Sequence, residues 1–312
     1  MPQRIFVTGT GMICALGQDV EHALFSLRNS VSGIGELRHI ETIHKKLPFG
    51  EVKFSDEDLI QMAGITSLQQ KFSRTALLGI IAATEAVKGK PFLQTERVGI
   101  VSATTVGGMP LNEKYYKELL KEDSTATFIE SLDCTENTEQ IADRLNIRHY
   151  LATISTACSS SANAIMVGAR LLKHNRVDKV LVGGTDALTR FTLNGFNSLE
   201  ILSNQPCKPF DEYRNGTTIG EGAGFLLLET EQTADPANII CEIAGYGNAN
   251  DAYHITAPSP DGSGSYLAMK RAFESAQNNP FEIDYVNAHG TGTPLNDMSE
   301  IIAMENWLSP GL

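Results

Sequence analysis

The chain has 312 residues, 42% of them hydrophobic and 20% charged, with a formal charge of −12. That apolar share fills a sizeable core, either two medium domains or one large layered unit, and excludes a disordered chain. The acidic balance repels phosphate at long range and excludes nucleic acid as a natural partner. Five cysteines, at 14, 134, 158, 207 and 241, are odd in number and scattered, with no Cys-x-x-Cys pair. Neither a disulfide framework nor a zinc site is indicated, and the expected compartment is reducing. Arg4 is the only charged side chain before the first apolar run, and no run approaches a membrane span, which points to the cytosol.

In chain order, the first strand is expected over 4–8, where Ile-Phe-Val leads into Gly9-Thr-Gly11. That glycine pair lacks the third glycine of a dinucleotide-binding turn. Helices are predicted over 19–29, 56–62 and 74–88, a strand over 97–103, and helices over 111–121 and 137–145. Lys114, Lys117 and Lys121 share one face of the first of these last two helices. A strand over 150–155 runs into a helix over 159–173, followed by a strand over 178–183. Gly216 to Gly222 has no Lys-Ser/Thr after it, so it reads as a tight turn into a buried strand over 223–229 and not as a phosphate loop. Strands over 239–246 and 283–288 and helices over 264–277 and 297–306 complete the set. This alternation predicts a layered α/β fold.

Cys158 stands where the strand-like Tyr150-Leu-Ala-Thr-Ile-Ser-Thr156 meets the helix-like run from Ser159 to Lys173. Unpaired N–H groups and the positive end of a helix dipole favour a thiolate at that place. The small residues of Thr156-Ala-Cys-Ser-Ser-Ser161 leave room for a thioester to approach the sulfur. Taken alone, the junction suits a buried structural cysteine equally well. His289 lies in Asp284-Tyr-Val-Asn-Ala-His-Gly-Thr-Gly-Thr-Pro294, after a short apolar run and before a glycine-rich turn. Gly290 and Gly292 permit a sharp bend, and Thr291 and Thr293 offer hydroxyls.

Four ordered segments together resemble the β-ketoacyl synthases, condensing enzymes of the thiolase fold. They are Thr-Ala-Cys-Ser-Ser at 156–160, Lys208-Pro-Phe-Asp-Glu-Tyr-Arg-Asn-Gly216 running into Gly220-Glu-Gly-Ala-Gly224, Asn250-Asp-Ala-Tyr-His-Ile-Thr-Ala-Pro258, and Asn287-Ala-His-Gly-Thr-Gly-Thr-Pro294. The Asp-Ala-Tyr-His stretch resembles the elongation-type 3-oxoacyl-[acyl-carrier-protein] synthase II group more than the initiating enzymes. The resemblance implies two βαβαβαββ-type halves in an α/β/α/β/α layering, with residues 1–237 as the first half and 238–312 as the start of an incomplete second. Ile239-Ile-Cys-Glu-Ile-Ala-Gly-Tyr-Gly247 faintly echoes the opening strand.

The resemblance implies that Cys158 accepts an acyl chain from an acyl carrier protein, and that His289 hydrogen-bonds the malonyl thioester carbonyl during decarboxylation. Thr291 and Thr293 would hold the phosphopantetheine arm. Glu300 would order the site, while Asp297 and Glu300 also read as an Asp-x-x-Glu capping box. No metal or organic cofactor is implied, and a homodimer is expected. The acidic carrier needs a basic patch, for which Lys71 and Arg74 stand at the family's docking stretch, with Lys114, Lys117 and Lys121 as an alternative. The family pattern continues into a Lys-Ser-x-x-Gly-His segment, whereas this sequence stops at Trp307-Leu-Ser-Pro-Gly-Leu312. The expectation is a truncated chain that does not complete a condensation cycle alone. A non-condensing acyl-binding or dimer-partner subunit is the alternative, and a cysteine hydrolase has no motif in its favour.

Overall fold

The computed structural model describes residues 3–66, 71–119, 132–277 and 283–308. They sort into two compact units, one of 1–45, 49–193 and 220–242, the other of 46–48, 194–219 and 243–312.

In the first unit, strand β1 (Ile5–Cys14) is followed by helices α1 (Val20–Arg28), α2 (Asp56–Met62) and α3 (Arg74–Ala86). Then come β2 (Val98–Ala103), α4 (Met109–Leu119), α5 (Cys134–Leu145), β3 (Tyr150–Ile154), α6 (Ser160–Lys173), β4 (Lys179–Asp186), α7 (Arg190–Ser198), β5 (Gly222–Thr230) and a short β6 (Cys241–Glu242). The two units divide within α7. The six strands form one sheet in the order β3-β2-β4-β5-β1-β6. β2 runs parallel to β3 and β4, while β5 and β1 join antiparallel.

β2 and the middle of β4 are buried throughout, as continuous apolar runs covered on both faces should be. Helix α3 lies against β1 and β5 with almost every side chain buried, including Leu77, Leu78 and Ile80. The Gly9 and Gly11 pair permits this approach. A Cβ at Gly9 would lie 2.0 Å from the Ala86 carbonyl oxygen, and one at Gly11 would lie 2.1 Å from that of Ala82. These glycines serve helix–strand packing.

The second unit contains α8 (Ser263–Ala276) and α9 (Pro294–Leu308). They pack through Trp307, whose ring lies 5.4 Å from Tyr266 and 5.3 Å from Phe273. A Cβ at Gly245 would lie 2.3 Å from the Ala272 carbonyl oxygen, and one at Gly247 would lie 2.2 Å from that of Ala268. The echo between 239–247 and the opening strand is therefore a repeated packing device. In each unit a Gly-x-Gly lets the chain press onto an Ala-x-x-x-Ala helix.

Several expected elements differ. The strand predicted over 239–246 contracts to Cys241 and Glu242, the residues that pair with Val7 and Phe6. No strand forms over 283–288, where Ile283, Tyr285 and Val286 are exposed. The last helix begins at Pro294, with the Asp297 N–H donating to the Thr293 carbonyl. Thr293 rather than Asp297 therefore opens it, and the expected capping box does not form.

Candidate active site

Cys158 lies exposed in the turn between β3 and α6. The preceding Ala157 has φ +52°, in the left-handed region that a residue with a side chain enters only when its surroundings enforce it. Local bonds do so. The Thr156 N–H donates to Ser160 Oγ at 2.8 Å, Ser160 Oγ donates to the Ala157 carbonyl at 2.6 Å, and the Ser160 N–H reaches the same carbonyl at 3.1 Å. Gly184 of β4 lets the first turn of α6 sit close, since a Cβ there would lie 2.2 Å from Ser161 Oγ. The sulfur thus stands just before a helix N-terminus, at the edge where the parallel strands β2, β3 and β4 end. Open α/β sheets characteristically bind ligands at that edge.

Sequence reasoning missed a second feature of this edge. Asp186, at the end of β4, accepts from Thr104 Oγ1 at 2.7 Å, from the Thr105 N–H and Oγ1 at 2.8 Å each, and from the Val106 N–H at 3.2 Å. One carboxylate therefore shapes the whole loop leaving β2. The available signal was an acidic residue closing the buried Gly183-Gly-Thr-Asp186 run. Glu113 does comparable work, accepting from the Arg190 and Phe191 N–H groups at 2.9 and 2.7 Å and so capping the start of α7.

The second unit brings His289, Thr291, Thr293 and Glu300 together. The Glu300 carboxylate accepts the N–H of His289 through one oxygen and that of Gly290 through the other, each at 2.8 Å, and Asn296 Nδ2 adds a contact at 3.0 Å. Asp297 is fully buried and accepts from the N–H groups of Gly292 at 3.1 Å and Phe210 at 2.8 Å. Two acidic residues on the first turns of α9 therefore clamp the glycine-rich loop, with Gly290 at φ +55° and Gly292 at φ +70°. A Cβ at Gly292 would lie 2.5 Å from Cys207 Sγ, so that turn admits only glycine. Thr291 Oγ1 and Thr293 Oγ1 are 2.8 Å apart, and His289 is exposed.

The other thiols differ from Cys158. Burial, with Asp133 and Asp186 nearby, pushes the Cys134 thiol up from its ordinary value, and burial does the same at Cys207. Cys241 is exposed, on the short β6.

The expected docking residues separate. Arg74 is only 6% exposed. Its guanidinium binds the buried Glu221 at 2.7 Å, the carbonyls of Val52 and Phe54, and Asp56 at 3.0 Å. Glu221 also accepts the N–H groups of Val52 and Leu188, each at 3.0 Å. Arg74 is thus an internal tie, and the expectation that it faces a partner is corrected. Lys71 is exposed, with Nζ 4.2 Å from the Tyr115 ring centre, and Lys114 Nζ lies 5.6 Å from the same ring. The two alternative basic stretches therefore meet at one aromatic residue. Lys121 and the Lys117 side chain lie outside the described residues.

Residues 2–234 match the family model for the β-ketoacyl synthase N-terminal domain, and residues 240–311 match that for the C-terminal domain. The chain is 33% identical to 3-oxoacyl-[acyl-carrier-protein] synthase 2 of Staphylococcus aureus (strain COL), over 97% of this chain and 77% of that protein. It is 34% identical to nodulation protein E of Rhizobium meliloti (strain 1021), over 98% of this chain and 77% of that one. A ketosynthase from Xenorhabdus doucetiae, solved in complex with its chain length factor, aligns with a TM-score of 0.83 and 31% identity, over 98% of this chain and 76% of that chain. The ishigamide ketosynthase/chain length factor aligns with a TM-score of 0.89 and 27% identity, over 99% and 78%. With its thiolase-like fold, this chain belongs to the β-ketoacyl synthase family, the acyl-transferring condensing enzymes of fatty acid and polyketide chain elongation.

Proposed function

We propose that Cys158 is the acyl-carrying nucleophile and His289 the hydrogen-bond donor of the decarboxylation step. The observation that carries this reading is the exposed Cys158 at a strained turn before α6, on the edge where three parallel strands end. The Cys158 thiolate attacks the acyl thioester, releases the carrier thiol and keeps the acyl group. The imidazole of His289 hydrogen-bonds the malonyl thioester oxygen, so that loss of carbon dioxide leaves an enolate whose negative oxygen is stabilised. The enolate carbon then attacks the acyl-Cys158 carbonyl. A carbon–carbon bond forms, the C–S bond breaks, and the thiolate is regenerated. Thr291 and Thr293 hold the phosphopantetheine arm, and Glu300 orders the loop that presents His289.

An acyl carrier protein is the proposed partner, docking at Lys71 and Lys114 around Tyr115. A solved relative supports this kind of partner, a type II polyketide ketosynthase in complex with its acyl-carrier protein, aligned at a TM-score of 0.84 and 25% identity. A homodimer is proposed through β3, which among the described residues is an edge strand of the sheet and carries an exposed Leu151. The junction of the two halves is proposed near 237/238, in keeping with family matches that end at 234 and resume at 240. A cytosolic location is proposed, and among the described residues no helix is long and apolar enough to cross a membrane. Mass spectrometry of the protein incubated with acyl-carrier thioester tests the central role. An acyl adduct on the Cys158 peptide is expected, and an adduct only on another residue would overturn the assignment.

A further inference from the structure

We propose that Asn163 is a positioning residue for the condensation chemistry, locking the turn that presents Cys158 through the hydroxyls on either side of it. This rests on Cys158 being the nucleophile.

Asn163 is 8% exposed and sits one turn into α6, with its own N–H bonded to the Ser159 carbonyl at 2.9 Å. Its Nδ2 lies 2.9 Å from Thr156 Oγ1 and 3.2 Å from Ser159 Oγ. A carboxamide nitrogen only donates, so both hydroxyl oxygens act as acceptors toward it. The Ser159 hydroxyl donates to the Thr156 carbonyl at 2.8 Å. At a separation of 3.1 Å from Ser159 Oγ, the Thr156 hydroxyl is left to donate there. The result is a closed ring of hydrogen bonds that joins residues 156 and 159 around the cysteine, with Asn163 donating into it at both hydroxyls. A carboxylate at position 163 could only accept from these hydroxyls.

This ring has a mechanical purpose. Ala157 holds a left-handed φ, a strained conformation that persists only where surrounding bonds over-determine it. Ser160 fixes the turn from within, whereas Asn163 fixes it from the helix. The Cys158 N–H and sulfur both depend on that turn for their direction. Through these two hydroxyls Asn163 acts on the backbone that carries the thiol.

The experiment is the pH profile of iodoacetamide alkylation of Cys158, followed by peptide mapping, in the wild type, Asn163→Ala, Asn163→Asp, Thr156→Val and the double variant Asn163→Ala/Thr156→Val. Loss of the donor should slow Cys158 alkylation about 3- to 10-fold, the scale of one hydrogen bond. Asn163→Asp is isosteric but accepts where Asn163 donates, and it should also move the alkylation midpoint to higher pH, because a carboxylate disfavours a neighbouring thiolate. Thr156→Val should match Asn163→Ala, and the double variant should be no slower than either single one, since all break the same ring. Should Asn163→Ala fail to fold, Asn163→Asp and Thr156→Val decide. Selective labelling of wild-type Cys158 with rate and midpoint unchanged in Asn163→Asp and Thr156→Val would overturn the role of Asn163 alone. Wild-type Cys158 labelling no faster than Cys241 would overturn the nucleophile assignment beneath it.

Discussion

Glu300 accepts the backbone N–H of His289 at 2.8 Å, so the presentation of the imidazole depends on a carboxylate eleven positions along the chain. Replacing Glu300 by Ala frees both this N–H and that of Gly290. Misplacing a reacting group by about 1 Å costs on the order of 100-fold in rate, and malonyl-carrier decarboxylation should fall by roughly 10- to 100-fold while acyl loading persists. Glu300→Gln should fall between, because its carboxamide keeps one acceptor and turns an NH2 toward the other N–H. Separate assays of the two half-reactions check this.

His289→Ala should leave Cys158 able to load an acyl chain and suppress decarboxylation about 100- to 1000-fold, the scale of one lost donor at a developing oxyanion. Collapse of loading with decarboxylation intact would reverse the two roles.

Among the five thiols, Cys158 should be alkylated first at neutral pH. Cys241 is the demanding comparison, since it is exposed as well but sits on a strand without a helix terminus. Cys134 and Cys207 should lag behind both, as burial holds their thiols protonated. Peptide mapping after brief iodoacetamide treatment gives the order. Equal rates at Cys158 and Cys241 would remove the case for activation.

Arg74→Met should destabilise the protein by about 3–5 kcal/mol, because it leaves Glu221 charged and buried without its cation. Arg74→Lys should recover little, as one ammonium cannot bind Glu221 and the Val52 and Phe54 carbonyls together. Arg74→Met/Glu221→Leu should recover only part, since Glu221 also serves the Val52 and Leu188 N–H groups. Urea denaturation gives these values. A drop of under about 1 kcal/mol for Arg74→Met would contradict the internal tie.

Lys71→Glu with Lys114→Glu should weaken carrier-protein binding strongly at low salt and much less at high salt, the screening length being about 8 Å at physiological ionic strength. Tyr115→Leu should weaken it less, by removing only the ring against which the two ammonium groups lie. Titrations at two ionic strengths separate these effects. An unchanged affinity in the double variant would place docking elsewhere.

The features legible in the sequence were those carried by local pattern. β2 and β4 announce themselves as apolar runs, and the turns around Cys158 and His289 by their small residues and glycines. The missed features depend on distant partners. Helix α7 carries Thr192, Asn194 and Gly195, all of poor helix propensity, and forms with a cap supplied by Glu113 from α4. Arg74 read as a surface cation because its partner Glu221 is 147 positions away. The Asp297-x-x-Glu300 spacing imitates a capping box, but Pro294 starts the helix earlier and turns both carboxylates onto the glycine-rich loop. Over 283–288 the apolar run suggested a strand, yet a strand also needs a ladder partner, and none pairs with it among the described residues.

The position of β1 in the sheet bears on how the protein is made. β1 is synthesised before the other five strands, yet its two neighbours, β5 and β6, are among the last parts of the first unit to be synthesised. The parallel trio β2, β3 and β4 can assemble with α6 before β5 is made, while Ile5, Phe6 and Val7 have no sheet partner to cover them. At about 5–20 residues per second, the wait from β1 to β5 is on the order of ten to forty seconds. Between the synthesis of β1 and that of β5, nascent chains should therefore expose an adhesive apolar segment, and demand for a holding chaperone should fall once β5 emerges.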